Sequence, residues 1–378
     1  MTPAELIAVA ALLVWLGLLT LHGRYWQLSE RLPAFATEPE VWPPVTAIVP
    51  ARNEADVIGD TVARLEAQAY PGDFRVIVID DRSEDGTGDV ARAAAGTRTE
   101  VITAEERPDE WMGKVWAMEQ GLRHMRDRSD EAGFVLFTDA DIHHPPDSLR
   151  RLVAHALDDD RDLVSLMVKL KAETFWEKRL IPAFVLFFSK LYPFHCVNDP
   201  KNRTAAAAGG CMLVRREIAD RAALAESIRG ELIDDCALAR RVRDAGSGRI
   251  WLGLTEEVES ARAYGGLGGV WDMVARSAYT QLRHSPLLLL GSVLGMLFLY
   301  LAGPALALTG ETRGWIVWLM IALSFAPALR LYRRPLWFAP LLPLAGFMYT
   351  LMTIDSAVRH WRGRGGGWKG RYQARGKA

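Results

Sequence analysis

Two apolar stretches bracket this chain and limit what it can fold into. Residues 6–21 (LIAVAALLVWLGLLTL) carry no charge, and residues 286–353 carry only Glu311, Arg313, Arg330, Arg333 and Arg334. A membrane-spanning helix needs about 20 mostly apolar residues. Nearly all the acids fall between the two stretches. The layout predicts a water-exposed domain flanked by membrane segments.

The chain has 378 residues, enough for one large domain plus extras. Its net charge of −1 gives no electrostatic case for a nucleic-acid partner. The cysteines are Cys196, Cys211 and Cys236, an odd and sparse set without metal-ligand spacing. Neither a disulfide framework nor a zinc site is expected of them, and they read as small buried hydrophobes.

The first apolar run is expected to be a transmembrane helix over residues 1–23. A signal peptide fits poorly, because Glu5 stands where a basic region belongs and no small-x-small site follows. Arg24 and Arg31 follow instead, which puts the next domain in the cytoplasm by the positive-inside tendency. A Pro-rich linker covers 24–44 (Pro39, Pro43, Pro44). Then strand-like and helix-like segments alternate. Strands are expected at 45–51, 75–81, 99–104 and 133–139. Helices are expected at 55–68 (Val57, Ile58, Val62 and Leu65 on one face), 87–95 and 115–125. That alternation predicts an α/β domain with a mostly parallel sheet covered on both faces, spanning 45–285. Ligands bind beyond the carboxyl ends of such strands.

Residues 176–194 are apolar and aromatic, interrupted by Lys178, Arg179, Pro182 and Lys190. They read as an interfacial helix on the bilayer or as a buried core helix. Three further apolar segments follow, at 286–308, 315–331 and 335–353, and a basic tail covers 356–378. From Arg359 to Lys377 that tail has seven basic residues and no acid. One early and three late spans would put the tail outside, against the positive-inside tendency. Either one segment over 286–355 is re-entrant or the tail is an exception.

Six clusters carry candidate chemistry. Val49-Pro50-Ala51-Arg52-Asn53-Glu54 ends a strand and opens a helix. Such a turn offers backbone N–H groups to a phosphate, with Asn53 and Glu54 for a ribose or base, although helix capping explains the same residues. Asp80-Asp81-Arg82-Ser83-Glu84-Asp85-Gly86-Thr87 puts an acidic pair at the next strand end. Turn chemistry accounts for Asp85-Gly86 but less well for the pair. Gly113-Lys114 starts a helix, where Lys114 reaches a phosphate or is a surface residue. In Thr138-Asp139-Ala140-Asp141, two carboxylates two residues apart suit Mg2+ or Mn2+, which take oxygen ligands and usually keep some waters and substrate phosphates. His143 and His144 nearby are further ligands or exposed loop residues. Asp234-Asp235 opens a helix; the pair serves the helix dipole, or Asp235 is a general base for an acceptor hydroxyl. Gln281-Leu282-Arg283-His284 precedes the late membrane segments; Arg283 binds a diphosphate or anchors at the membrane.

The ordered set VPARNE, VIDDRSEDGT, GK, TDAD, AGGCMLVRR and IDDCALA resembles the inverting family 2 glycosyltransferases of GT-A fold, over about residues 45–285. The one-early, several-late membrane layout is similar to ceramide glucosyltransferases and carotenoid glycosyltransferases, and most to hopene-associated glycosyltransferases. The resemblance implies a nucleotide-sugar donor, UDP-linked, and a lipid acceptor in hopanoid or related glycolipid biosynthesis. It implies a multi-pass protein of the cell inner membrane with its catalytic domain in the cytoplasm. By position it implies that Pro50, Asn53, Glu54, Asp81, Lys114, Asp139 and Arg283 meet the nucleotide sugar, with Asp81 toward the base. Asp139 and Asp141 would hold the metal, Asp141 most directly. Asp235 would be the catalytic base, with Asp234 where many members have Glu. Gly209, Gly210 and Cys211 would border the acceptor.

One motif departs from the family's processive members. Where these carry Gln-x-x-Arg-Trp, this chain has Thr280, Arg283 and His284. Loss of the Gln and Trp favours a single transfer over a processive polysaccharide synthase. A non-catalytic sugar-nucleotide-binding membrane protein would have a degraded acidic set, whereas every carboxylate is present here.

Overall fold

A computed structural model describes residues 1–33, 38–128 and 133–366. These form two compact units. An α/β unit comprises Glu30–Leu170 and Cys196–Arg262; a helical unit comprises Met1–Ser29, Lys171–His195 and the described chain from Ala263 onward. The α/β unit ends at Arg262. Residues 171–195, expected inside the α/β domain, belong to the helical unit. The sequence pattern could not expose this, because the assignment depends on which apolar faces pair.

The α/β unit is built on eight strands: β1 Val45–Ala51, β2 Phe74–Asp80, β3 Thr99–Thr103, β4 Phe134–Thr138, β5 Ile142–His143, β6 Leu163–Lys169, β7 Cys211–Arg215 and β8 Ile250–Ser260. Their order is β3-β2-β1-β4-β7-β6-β8-β5. The run β3-β2-β1-β4 is parallel, and β6 pairs parallel with β8. β7 runs antiparallel between β4 and β6, and β5 antiparallel to β8. The sheet is thus mostly parallel, with β7 and β5 reversed.

Every residue of β1 and β4 is buried, as expected for central strands covered on both faces. Helix Ala55–Glu66 buries Ile58, Val62 and Leu65, a stripe at helical spacing. Helix Gly113–Asp127 lies close on the sheet at Gly121. A Cβ there would meet Ile48 Cγ2 at 2.6 Å, so only glycine permits the contact. One continuous core joins β1 to its neighbours, gathering Val45, Ala47, Val49, Ile58, Val76, Leu136, Leu166 and Leu213.

In the helical unit, helices Pro3–Thr20, Pro286–Leu308 and Thr312–Leu331 and the segment Leu336–Trp361 are each long and apolar enough to cross a membrane. Thr2 and Glu5 form a reciprocal cap at the first. The last opens as a 3-10 turn, Leu336–Leu341, before helix Leu342–Trp361. Leu13, Leu16, Leu290, Leu294, Leu319 and Leu323 point outward, as lipid-facing side chains do. Trp15 Nε1 donates to the Leu299 carbonyl at 2.8 Å. Helix Glu177–Leu191 buries Leu180, Ile181, Val185 and Leu186 and packs on the third and fourth of these segments. The basic tail lies outside the described residues from 367 onward.

Candidate active site

The parallel strands β1, β2 and β4 are neighbours, so their carboxyl ends share one edge of the sheet. The first two motifs lock together there. Asn53 N–H donates to Ser83 Oγ (3.1 Å), Glu54 N–H to Thr87 Oγ1 (2.8 Å) and Ala55 N–H to Asp85 Oδ2 (3.1 Å). Glu84 N–H returns a bond to Asn53 Oδ1 at 3.0 Å. Asn53 stands at φ 50, a left-handed conformation that Asn tolerates better than most residues. The N–H groups expected to face a phosphate are thus taken by Ser83, Thr87 and Asp85. The physical reason is cross-strand: two loops end side by side, and the second supplies the caps of the first. Pro50 is buried within β1. Asp81 is fully buried, with Arg52 Nη1 3.9 Å from its carboxylate and also bonded to the Arg82 carbonyl.

A second group joins four motifs. Lys114 Nζ lies 2.7 Å from Asp139 Oδ1, 3.3 Å from Asp234 Oδ2 and 3.5 Å from the Gly209 carbonyl. Gly209 N–H donates to Asp235 Oδ2 at 3.1 Å, and Cys236 N–H to Asp235 Oδ1 at 2.7 Å. A Cβ on Gly209 would sit 3.0 Å from Lys114 Nζ, so the glycine leaves room for the ammonium. Burial disfavours charge on Lys114, but Asp139 and Asp234, with Asp235 behind them, more than offset it and raise its pKa. Burial, then repulsion from Asp234, pushes the Asp235 carboxyl up to about 6 against the pull of Lys114. Asp139 is also raised, by burial and, against the pull of Lys114, by the charge of Asp141.

A third set centres on a residue that the motif reading missed. Arg262 Nη2 lies 2.8 Å from Glu54 Oε1, and its Nε lies 3.2 Å from Asp141 Oδ2. Ser260 Oγ donates to the same Asp141 oxygen at 2.7 Å. Both residues arrive through β8, whose Ser260 pairs with Ile142 of β5. No local pattern marks Arg262; only the pairing of distant strands brings it to Asp141.

Several expected residues behave otherwise. His144 is buried, not an exposed loop residue. Its Nε2 meets Thr138 Oγ1 at 2.9 Å and its Nδ1 meets Ser148 Oγ at 3.3 Å. Burial, then the neighbouring His143, pushes its pKa down to about 4. With both ring nitrogens engaged, it is no free metal ligand. Cys211 lies in the sheet core, so its thiol cannot border an acceptor; burial pushes that thiol up to about 12. The Gly209 and Gly210 backbone stays with the cluster, since Thr138 Oγ1 donates to the Gly210 carbonyl at 2.9 Å. Arg283 is exposed and belongs to the helical unit.

Among the described residues, no three His, Cys, Asp or Glu side chains form a complete metal-ligand set. Asp139 and Asp141 offer two mutually repelling carboxylates, each now paired with a basic side chain. This fits half a site for a hard divalent cation, which completes its shell with water and substrate phosphate.

Residues 46–222 match the model of glycosyl transferase family 2. That stretch, just under half of the chain, is similar to this family, and the fold is of the GT-A type. The match covers the strand-end acids through Asp141, the glycine loop and β7, and stops short of Asp234, Asp235 and Arg262. Over 98 residues the chain is 36% identical to 4,4'-diaponeurosporenoate glycosyltransferase of Staphylococcus aureus (strain USA300). That stretch is 26% of this chain and 24% of the relative, so the chain spans about a quarter of its length. A solved structure of similar fold is the mannosyltransferase PcManGT from Pyrobaculum calidifontis in complex with GDP-Man and Mn2+. Its TM-score is 0.57 at 22% identity, covering 95% of this chain and 99% of that one.

Proposed function

We propose that this protein is a membrane-bound inverting glycosyltransferase that moves one sugar from a nucleoside-diphosphate sugar to a lipid acceptor. One observation carries the reading: Asp235, Gly209, Lys114 and Asp139 form a continuous acid–cation cluster at the edge where β4 ends. Asp235 takes the proton from the acceptor hydroxyl as its oxygen bonds to the anomeric carbon. The bond from that carbon to the diphosphate oxygen breaks, and the electron pair leaves with the nucleoside diphosphate. A carboxyl held near 6 is a stronger base than an ordinary aspartate, yet remains ionised at neutral pH.

The donor lies along the same edge, with Asn53, Glu54 and Asp81 on the nucleotide side and Asp139 near the diphosphate. Mg2+ or Mn2+, when bound at Asp139 and Asp141, would neutralise charge on the leaving diphosphate. The solved neighbour's GDP-Man and Mn2+ support this class of donor and cation. A UDP-linked sugar is the first donor to test here. Asp234 holds Lys114 in place.

The acceptor is a lipid presented from the bilayer, hopanoid-like, which would make the product a glycolipid. Four helices long enough to cross a membrane support that, as does a relative named for a diaponeurosporenoate acceptor. The host is the bacterial inner membrane, with the α/β unit in the cytoplasm, where nucleotide sugars are made.

The decisive experiment uses Asp235→Asn in membranes supplied with labelled nucleotide sugars and total lipid. The variant is expected to retain donor binding and lose most turnover. Near-normal glycolipid yield would remove Asp235 from the reaction. Excess EDTA should abolish wild-type turnover; full activity under EDTA would remove the metal role of Asp139 and Asp141.

A further inference from the structure

Arg262 is the least expected member of the site. It is 41% exposed at the side chain, whereas its partners Asp141 and Glu54 are 8% and 13% exposed. One guanidinium therefore bridges two nearly covered carboxylates from the open side. Both carboxylates have roles in the proposed function: Asp141 at the cation and Glu54 at the nucleotide. The arginine's backbone is fixed close by, since its N–H donates to Ser260 Oγ at 3.2 Å and Ala261 N–H donates to the Asp141 carbonyl at 2.7 Å. The side chain has only to swing; the strand end does not have to move.

A divalent cation on Asp141 and the guanidinium on the same Oδ2 atom exclude each other by charge and by space. A guanidinium freed from a carboxylate is well suited to diphosphate oxygens, which it meets with the same planar fork. We propose that Arg262 competes with the divalent cation for Asp141 before ligands bind and passes to the donor diphosphate when cation and donor enter together. This rests on the metal reading above and adds a donor-binding residue to it. The arrangement couples the two ligands. Nucleotide draws Arg262 away and so improves cation binding, and the coupling is reciprocal by linkage.

The test reads cation binding rather than turnover. Full-length protein in detergent is titrated with Mn2+, followed by the electron paramagnetic resonance of the free ion, with and without UDP and GDP. Arg262→Met keeps the stem and removes the charge; Arg262→Lys keeps a charge but not the fork. In Arg262→Met, Mn2+ binding without nucleotide should tighten by about two- to fivefold, the size expected of losing a half-exposed competing ion pair. The gain in Mn2+ affinity on adding nucleotide should shrink, and nucleotide affinity should fall. Arg262→Lys should lie between the two proteins, which a purely structural role would not produce. Unchanged Mn2+ affinity in both variants, with Mn2+ binding intact, overturns the competition and leaves the metal reading standing. No Mn2+ binding by any of the proteins, even with nucleotide, overturns the metal reading and this inference with it.

Discussion

The Lys114 ammonium stands 2.7 Å from one oxygen of Asp139, joining the start of a helix to the end of β4. The same ammonium reaches Asp234 at 3.3 Å. A single cation therefore keeps the acidic motifs at Asp139 and Asp234–Asp235 from repelling one another. Lys114→Met should cost about 1–3 kcal/mol of stability, below the cost of breaking a fully buried pair because Asp139 is partly exposed. It should also raise the Asp235 pKa, because Lys114 is among the groups that lower it. Chemical denaturation and the pH profile of residual turnover measure the two effects. A variant as stable as wild type, with an unmoved acid limb, would contradict the bridging role.

With Asp235 as the base proposed above, its carboxyl, pushed up to about 6, should set the acid side of the pH–rate profile. As a base it must be ionised. Turnover should be flat above about pH 6–7 and fall roughly tenfold per pH unit below that. The stability consequence has the opposite sign from an ordinary paired aspartate. A raised folded pKa means that the folded state holds this proton more tightly than the unfolded chain. Its stabilising share is fully present below the unfolded value near 4 and is lost as pH rises through about 6. Asp235→Asn should therefore gain on wild type in melting temperature between pH 4 and 7. A constant difference across that range would show that the carboxyl titrates normally.

Gly209 makes room for Lys114 and donates its N–H to Asp235. Gly209→Ala would put a methyl 3.0 Å from the ammonium and 3.6 Å from Asp235 Oδ2. The flexible lysine can give way, so the fold should survive, with a stability change within about 1–2 kcal/mol. Turnover should fall at least tenfold, because the base and its neighbouring cation lose their relative placement. Steady-state kinetics beside a thermal melt separates these outcomes. Unchanged turnover would detach the glycine loop from the chemistry.

Asp85 closes the joint between the first two motifs. Its carboxylate accepts from Ala55 N–H and Thr87 N–H at 3.1 and 3.0 Å. Slight burial opposes ionisation, but the Thr87 hydroxyl and these N–H groups more than offset it and hold Asp85 below its usual value. This stability is present above the usual carboxylate pKa and is lost as pH falls through the lower folded one. Asp85→Ala should cost about 0.5–1 kcal/mol at neutral pH, as removal of a helix cap does. The deficit should vanish in acid. Melting curves at pH 7 and pH 2.5 test it; equal deficits at both would reject the carboxylate's role.

Much of the local structure was legible from the residues alone. β1 runs from Val45 to Ala51 as its unbroken apolar run predicts, and helix Ala55–Glu66 follows the spacing of Ile58, Val62 and Leu65. The strand-end acids, the Asp139–Asp141 pair and the long apolar segments were legible for the same reason. Periodicity and composition act over a few residues, and a single sequence displays them directly. Which distant segments meet was settled by the three-dimensional packing. It gave the N–H groups of the Asn53–Ala55 turn to Ser83, Asp85 and Thr87, buried His144 and Cys211, and moved residues 171–195 to the helical unit. It also brought Arg262 to Asp141 from a distant part of the chain. These outcomes depend on strand order and on the reversed strands β5 and β7, and long-range pairing leaves no periodic trace in the residues it joins.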